Sequence, residues 1–168
     1  MTSIKQVGTA LIFLAGSTLG GCAGDDPIEA EESTSENTSA LASDCEGGAN
    51  GFIDIPDDLV GTSKPRSVVV AKAGSLPLVV ASLEVGVVAG AQRGWALIGG
   101  ITLPGDRVWM DWTANGGRNW LQCGPFEVSR NIMLKTSAAK RTNPISSLWQ
   151  FRACGRRPGL AAQCTDWW

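Results

Sequence analysis

Apolar and polar residues alternate with a period of two along much of this chain, most clearly over residues 105–120. In an extended chain, Val108, Met110 and Trp112 lie on one face, and Trp109, Asp111 and Thr113 lie on the other. A period of two predicts a half-buried β-strand. The pattern breaks at Asn115-Gly116-Gly117, where glycine adopts positive φ at little cost, and a new apolar run starts at Trp120. We therefore expect a β-hairpin over this stretch.

Short segments of similar character occur throughout the second part of the chain, at 52–56, 67–71, 78–88, 95–103, 126–128 and 148–153. In the segment 78–88, Val79, Ala81, Leu83, Val85 and Val87 are expected on one face, with Ser82 and Glu84 on the other. A bulge or bend is expected at Gly99-Gly100, and the breaker-rich stretch 135–144 is expected to be a loop. Many short strands without helical periodicity predict an all-β domain, either a sandwich or a barrel.

The N-terminus has the pattern of a targeting segment. Residues 7–19 form an apolar run of 13 residues after Lys5. As a helix this run spans about 20 Å, which is short of the roughly 30 Å hydrocarbon core. Leu19-Gly20-Gly21-Cys22 follows and resembles the lipobox of bacterial lipoproteins. The resemblance implies a signal peptide at 1–21 and an acylated Cys22, for example with palmitate, that anchors the protein in a lipid bilayer outside the cytoplasm. An ordinary secretory signal is the alternative.

Residues 22–44 are expected to be a disordered tether behind the lipidated cysteine. Between 23 and 44 the chain has seven acidic residues and no basic one, set among Ser, Thr and Ala. Such a segment has too few apolar side chains to form a core. Residues 45–168 are then a single β domain.

The charge of the predicted domain argues against a nucleic-acid partner. Residues 45–168 keep 13 of the 14 Lys and Arg residues and 9 of the 16 Asp and Glu residues, a net charge of about +4. The basic residues are scattered rather than clustered on one segment. A solvated surface is the simpler interpretation.

Four cysteines remain once Cys22 is assigned to the lipobox: Cys45, Cys123, Cys154 and Cys164. An even number in an exported chain predicts two disulfides, for which three pairings are possible. We favour Cys154–Cys164, which closes a short loop, and Cys45–Cys123, which ties the start of the domain to the hairpin. A metal site is not expected, because the cysteines are not grouped and the chain has no histidine.

Residues 113–120 resemble the Asp-box, a structural turn of sialidase-type propellers and other secreted β-proteins, with Thr113, Asn115, Gly117 and Trp120 at the matching positions. The resemblance implies a turn in which the Asx side chain accepts backbone N–H groups and the indole packs beneath. It transfers no activity, since the Asp-box lies away from the catalytic centre, a propeller needs several copies, and this chain lacks the tyrosine that sialidases use as nucleophile.

A wider resemblance covers about half of the domain. The segment Gly105-Asp106-Arg107-Val108-Trp109 through Trp120, with Arg152-Ala153-Cys154-Gly155 and Cys164-Thr165, is similar to a small domain of secreted actinobacterial proteins, sometimes found beside glycan-active modules. The resemblance implies extracellular placement and a disulfide, but no active site.

Catalysis is not expected from this sequence, and no cofactor motif is present. The absence of histidine removes the Ser-His and Cys-His mechanisms. Glycoside hydrolysis needs only two carboxylates, and the candidates are Asp111 and Glu127, followed by Asp54 and Asp57. A glycan-active hydrolase that uses Asp111 and Glu127 is therefore an alternative function.

Tryptophan favours a binding or structural role at the cell envelope, with a glycan or a protein as the partner. The chain has seven tryptophans, more than a core of this size needs. We expect Trp112, Trp120 and Trp149 in the core by their phase. Trp109, Asp111, Trp167 and Trp168 are the predicted ligand-binding residues. Protease inhibition is a further alternative, in which the loop closed by Cys154 and Cys164 presents Arg156, since Arg157 precedes Pro158.

Overall fold

The structure is a computed structural model that describes residues 44–168, so the predicted signal peptide, Cys22 and the tether up to residue 43 lie outside the described residues. Within 44–168 the chain forms ten strands and no α-helix. The strands are β1 (Phe52–Ile53), β2 (Ser63–Ala73), β3 (Leu76–Val88), β4 (Ala91–Gly100), β5 (Arg107–Thr113), β6 (Leu121–Glu127), β7 (Lys135–Thr136), β8 (Ala139–Arg141), β9 (Gln150–Arg156) and β10 (Gln163–Cys164). The all-β prediction is confirmed.

Two antiparallel sheets pack face to face. The larger has the order β1-β8-β4-β3-β2, with β7 also paired to β4, and the smaller has the order β10-β9-β5-β6. Strands β2, β3 and β4 of the larger sheet contact β9 of the smaller one. Neither sheet closes on itself, so the chain forms the sandwich and not the barrel.

The core between the sheets follows the predicted alternation. On β3, Val79, Ala81 and Leu83 are fully buried, and on β5 Val108 and Met110 face them from the other sheet. Burying each such side chain contributes about 1.5–3 kcal/mol. The predicted hairpin is formed by β5 and β6.

The outer face of β3 is covered as well as the inner one. Ser82 and Glu84 are buried although they point away from the core, because the segment before β2 covers them. The Gly61 N–H donates to Glu84 Oε2 at 3.1 Å, and the Trp95 indole donates to the Leu59 carbonyl at 3.0 Å. Val87, predicted on the buried face, is 74% exposed because it lies beyond the second sheet at the end of β3.

The loop predicted at 135–144 was wrong. The stretch 135–144 contains the short strands β7 and β8, whose pairing with β4 outweighs its many breaker residues. The alternative of a bend at Gly99-Gly100 is confirmed rather than that of a bulge: β4 ends at Gly100, which has a φ of 100°, and the chain bends at Ile101 without any shift in the pairing with β3. A Cβ at Gly100 would lie 2.3 Å from the Leu78 carbonyl oxygen. This close backbone approach explains the glycine.

Both favoured disulfides are present. Cys45–Cys123 joins the start of the described chain to β6, and Cys154–Cys164 joins β9 to β10. The first is fully buried in the core, whereas the second lies at the edge of the smaller sheet.

The last residues continue alongside β9. The backbones of Trp168 and Phe151 exchange two hydrogen bonds, of 2.9 and 3.0 Å. Because successive residues of an extended chain point to opposite sides, Trp167 and Trp168 are directed to different places. Trp167 and Trp168 therefore belong to two separate surface clusters.

Candidate functional site

The hairpin turn between β5 and β6 is held by side chains. Thr113 Oγ1 accepts the N–H groups of Asn115 (3.2 Å) and Gly117 (3.1 Å), and its hydroxyl donates to the Asn119 carbonyl (2.7 Å). Asn115 Oδ1 accepts the Asn119 N–H at 3.0 Å, which is the expected role of the Asx side chain. The following Trp120 was expected in the core but is 39% exposed.

Trp120 belongs to an arginine stack, formed by Arg152, Trp120 and Trp167 on the outer face of the smaller sheet. The guanidinium carbon of Arg152 lies 5.1 Å from the Trp120 ring centre and 4.6 Å from that of Trp167. The two indoles meet edge to face at 6.4 Å. Cation–π attraction of this kind contributes about 0.5–1 kcal/mol per contact at an exposed site.

Asp111 lies beneath this stack and is 1% exposed. Arg152 binds its Oδ2 through Nε and Nη2, both at 2.8 Å, whereas Oδ1 is buried without a hydrogen-bond partner. Burial raises the pKa of Asp111, and the hydrogen bond and charge of Arg152 act in the opposite direction. Asp111 therefore does not offer an exposed oxygen to a ligand, contrary to the prediction from sequence.

The other predicted ligand-binding residues do not form one site. Trp109 is half-buried and lies opposite Cys154. Trp167 is part of the arginine stack, whereas Trp168 lies in a separate cleft with Phe151, at a ring-centre distance of 6.5 Å. Trp167 and Trp168 lie in different places because consecutive side chains of an extended segment point to opposite sides.

The cleft beside Trp168 has a volume of about 400 Å³. We call it the tryptophan cleft, and define it by Trp149, Phe151, Trp168, Gln92, Gln150 and the loop 142–147. Its lining has indole rings, amides and hydroxyls, and no charged side chain. Trp168 is 39% exposed here, and Trp149, predicted in the core, is half-buried.

A buried lysine lies behind the cleft, and sequence reasoning missed it because it falls in the predicted loop. Lys140 Nζ lies 4.0 Å from the ring centre of Trp112, 4.8 Å from that of Phe52 and 5.6 Å from that of Trp149. It donates a hydrogen bond to the Asn50 carbonyl. Burial lowers the pKa of Lys140, and the positive charge of Arg93 lowers it further. Lys140 therefore packs against Trp149 of the cleft wall and does not line the cleft itself.

The candidate catalytic carboxylates are not brought together. Glu127 is bound to Arg107 at 3.1 Å and lies directly opposite it across the strand pair. Arg107 precedes Asp111 by four residues on β5, so the positions of Glu127 and Asp111 are about 13 Å apart along the strand direction. Paired glycosidase carboxyls lie roughly 5–9.5 Å apart. Asp57 is bound to Lys135 at 2.8 Å, and Asp54 accepts the Gly47 N–H at 3.3 Å.

The loop of the inhibitor alternative is tied to the sandwich. Arg157 forms a two-pronged contact with the fully buried Asp106, with Nε–Oδ1 at 2.9 Å and Nη2–Oδ2 at 2.7 Å. These hydrogen bonds raise the pKa of Arg157 above its usual range. Arg156 is exposed, as the inhibitor alternative requires, whereas Arg157 has a structural role.

One trio within residues 44–168 has metal-ligating atoms close together: Asp111, Cys154 and Cys164, within 4.8 Å of one another. The two sulfurs are bonded to each other and the carboxylate is bound to Arg152, so the trio does not offer a set of free ligands.

In the part of the chain that the structure describes, no helix has the length and apolar character needed to cross a membrane. No protein-family model, curated protein or solved structure matches this chain.

Proposed function

We propose that this protein is a lipid-anchored, extracytoplasmic binding module, and that its tryptophan cleft binds a neutral glycan of the cell envelope. The single observation that supports this ligand is the lining of the cleft. Two indoles sit beside amide and hydroxyl groups, without a charged side chain. A sugar ring offers an apolar face for stacking and hydroxyls that pair with neutral polar groups, so it matches such a lining.

The size of the cleft fits the same ligand class. Small-molecule sites have volumes of roughly 300–1,000 Å³, and this cleft has about 400 Å³. The backbone of Trp168 pairs with that of Phe151, its ring lies 6.5 Å from the Phe151 ring, and the residue is still 39% exposed. A rigid, partly exposed aromatic ring loses little entropy on binding.

Replacing Trp168 with alanine is expected to weaken retention on an envelope polysaccharide or peptidoglycan by roughly 30-fold, the effect of losing one central aromatic anchor. The measurement is affinity electrophoresis or a pull-down with a soluble form that begins at residue 44. The matched control is Trp120→Ala, because Trp120 has the same 39% exposure but lies in the arginine stack. Equal losses in both variants, or no retention of the unmodified domain by any glycan, would contradict the proposal; capture of a protein instead would assign the cleft to a protein partner.

The lipid anchor has its own test. Full-length protein expressed in a bacterial host is expected to take up radiolabelled or alkyne-tagged palmitate and to enter the detergent phase on phase separation. Cys22→Ser is expected to abolish both, because only a thiol accepts the lipid. Labelling that persists in Cys22→Ser, or an unlabelled full-length protein, would contradict the anchor without affecting the cleft.

A further inference from the structure

The disulfide between β9 and β10 has two unlike halves. Cys154 is fully buried, whereas Cys164 is exposed on β10, a two-residue strand at the edge of the smaller sheet. The two cysteines are direct neighbours across the strand pair. In the other disulfide, Cys45 and Cys123 are both fully buried in the core. Of these four cysteines, Cys164 is the exposed one.

The buried half of this bond contacts a carboxyl group. Asp111 Oδ2 lies 3.8 Å from Cys154 Sγ. A disulfide sulfur carries no hydrogen, so Cys154 does not donate a hydrogen bond to Asp111 in the oxidised protein. Oδ1 of the same carboxyl is buried and has no partner. One acid thus lies against the sulfur that becomes a thiol if the bond opens.

We propose that Cys154–Cys164 is a thiol–disulfide exchange site for a dithiol partner, in which Asp111 gives a proton to the departing Cys154 sulfur. This inference is independent of the tryptophan cleft and of the lipid anchor. Burial raises the pKa of Asp111, which increases the share of protonated carboxyl available for this transfer.

The exchange transfers two electrons from the dithiol to the disulfide. One thiolate of the dithiol attacks Cys164 Sγ, the Cys154–Cys164 bond breaks, and a mixed disulfide forms on Cys164 while Cys154 leaves with the electron pair. The carboxyl of Asp111 protonates the Cys154 sulfur, and Arg152 stabilises the carboxylate that remains. The second thiol of the partner then loses its proton to solvent and attacks its own sulfur in the mixed disulfide. Cys164 is released and takes a proton from solvent, and the partner leaves oxidised by two electrons.

The first test compares the two disulfides in the folded protein. Limiting dithiothreitol serves as the dithiol, the reaction is stopped with acid, and alkylated cysteines are located by mass spectrometry. We expect Cys154 and Cys164 to be labelled at least about tenfold faster than Cys45 and Cys123. Equal rates for the two disulfides would overturn the proposal.

The second test addresses the acid. Asp111→Asn keeps the shape of the side chain and is expected to slow the exchange by on the order of tenfold or more. It is also expected to remove the pH dependence that remains after correction for the thiolate fraction of the reductant. The control is Glu127→Gln, an exposed carboxyl on the same sheet, which is expected to leave the rate unchanged. An unchanged rate in a folded Asp111→Asn would overturn the role of the acid.

Loss of folding in Asp111→Asn has a distinct signature, since both disulfides would then open at equal rates. In that case the role of Asp111 is tested by the pH dependence of the exchange rate in the unmodified protein. A corrected rate that falls as pH rises supports proton donation, and a flat corrected profile contradicts it.

Discussion

Replacing Arg157 with alanine is expected to lower the free energy of unfolding by about 3–5 kcal/mol, because it leaves the fully buried Asp106 without its cation. Arg157 also donates to the Ile101 carbonyl at 2.9 Å, so the change removes three hydrogen bonds that join the Cys154–Cys164 loop to the turn before β5. Chemical denaturation followed by tryptophan fluorescence measures the loss. It is a large part of the roughly 5–15 kcal/mol that stabilises a typical domain.

The adjacent arginine provides the control. Arg156 has the same charge and is exposed, so Arg156→Ala is expected to change the free energy of unfolding by less than about 0.5 kcal/mol. A similar small effect for Arg157→Ala would show that the two-pronged contact with Asp106 is not formed in solution. The comparison also bears on protease inhibition, since a stability loss confined to Arg157 leaves Arg156 as the sole basic residue of the loop that a protease can reach.

Local patterns were sufficient to predict the longer strands of the sandwich and its central hairpin. Val79, Ala81 and Leu83 occur at every second position because one face of β3 is buried. Such a pattern can be read from residues that are close in sequence. Asn115-Gly116-Gly117 similarly identified the turn, since both glycines adopt positive φ. The two disulfide pairings also followed from spacing and from the hairpin.

The candidate sites depend on contacts between distant residues, and periodicity carries no such information. Asp111 was expected to be exposed, yet Arg152, 41 residues away, covers it together with Trp120 and Trp167. Lys140 fell in a predicted loop because its strand has only three residues and is stabilised by β4 and β1. Only the tertiary pairing of these segments fixes where the charged groups and the indoles lie.

Removing the Cys45–Cys123 disulfide is expected to have the other large effect on stability. The two cysteines are 78 residues apart, and closing a loop of that length contributes about 4–5 kcal/mol, whereas the separation of 10 between Cys154 and Cys164 gives about 2.5–3 kcal/mol. The double variant Cys45→Ser/Cys123→Ser also places hydroxyls in the core, which adds to the loss. Thermal and chemical unfolding of both double-serine variants measures the difference.

The proposed exchange requires that removing Cys154–Cys164 costs less stability than removing Cys45–Cys123. Since opening Cys154–Cys164 is expected to cost less, and β10 is a two-residue edge strand, the sandwich should stay folded while that bond is reduced. The variant Cys154→Ser/Cys164→Ser is therefore expected to retain a cooperative unfolding transition and its burial of Trp95, whereas Cys45→Ser/Cys123→Ser loses most of its stability. If the serine variant at Cys154 and Cys164 were the less stable of the two, opening that bond would unfold the domain, and the bond would then be a structural clamp and not a site of exchange.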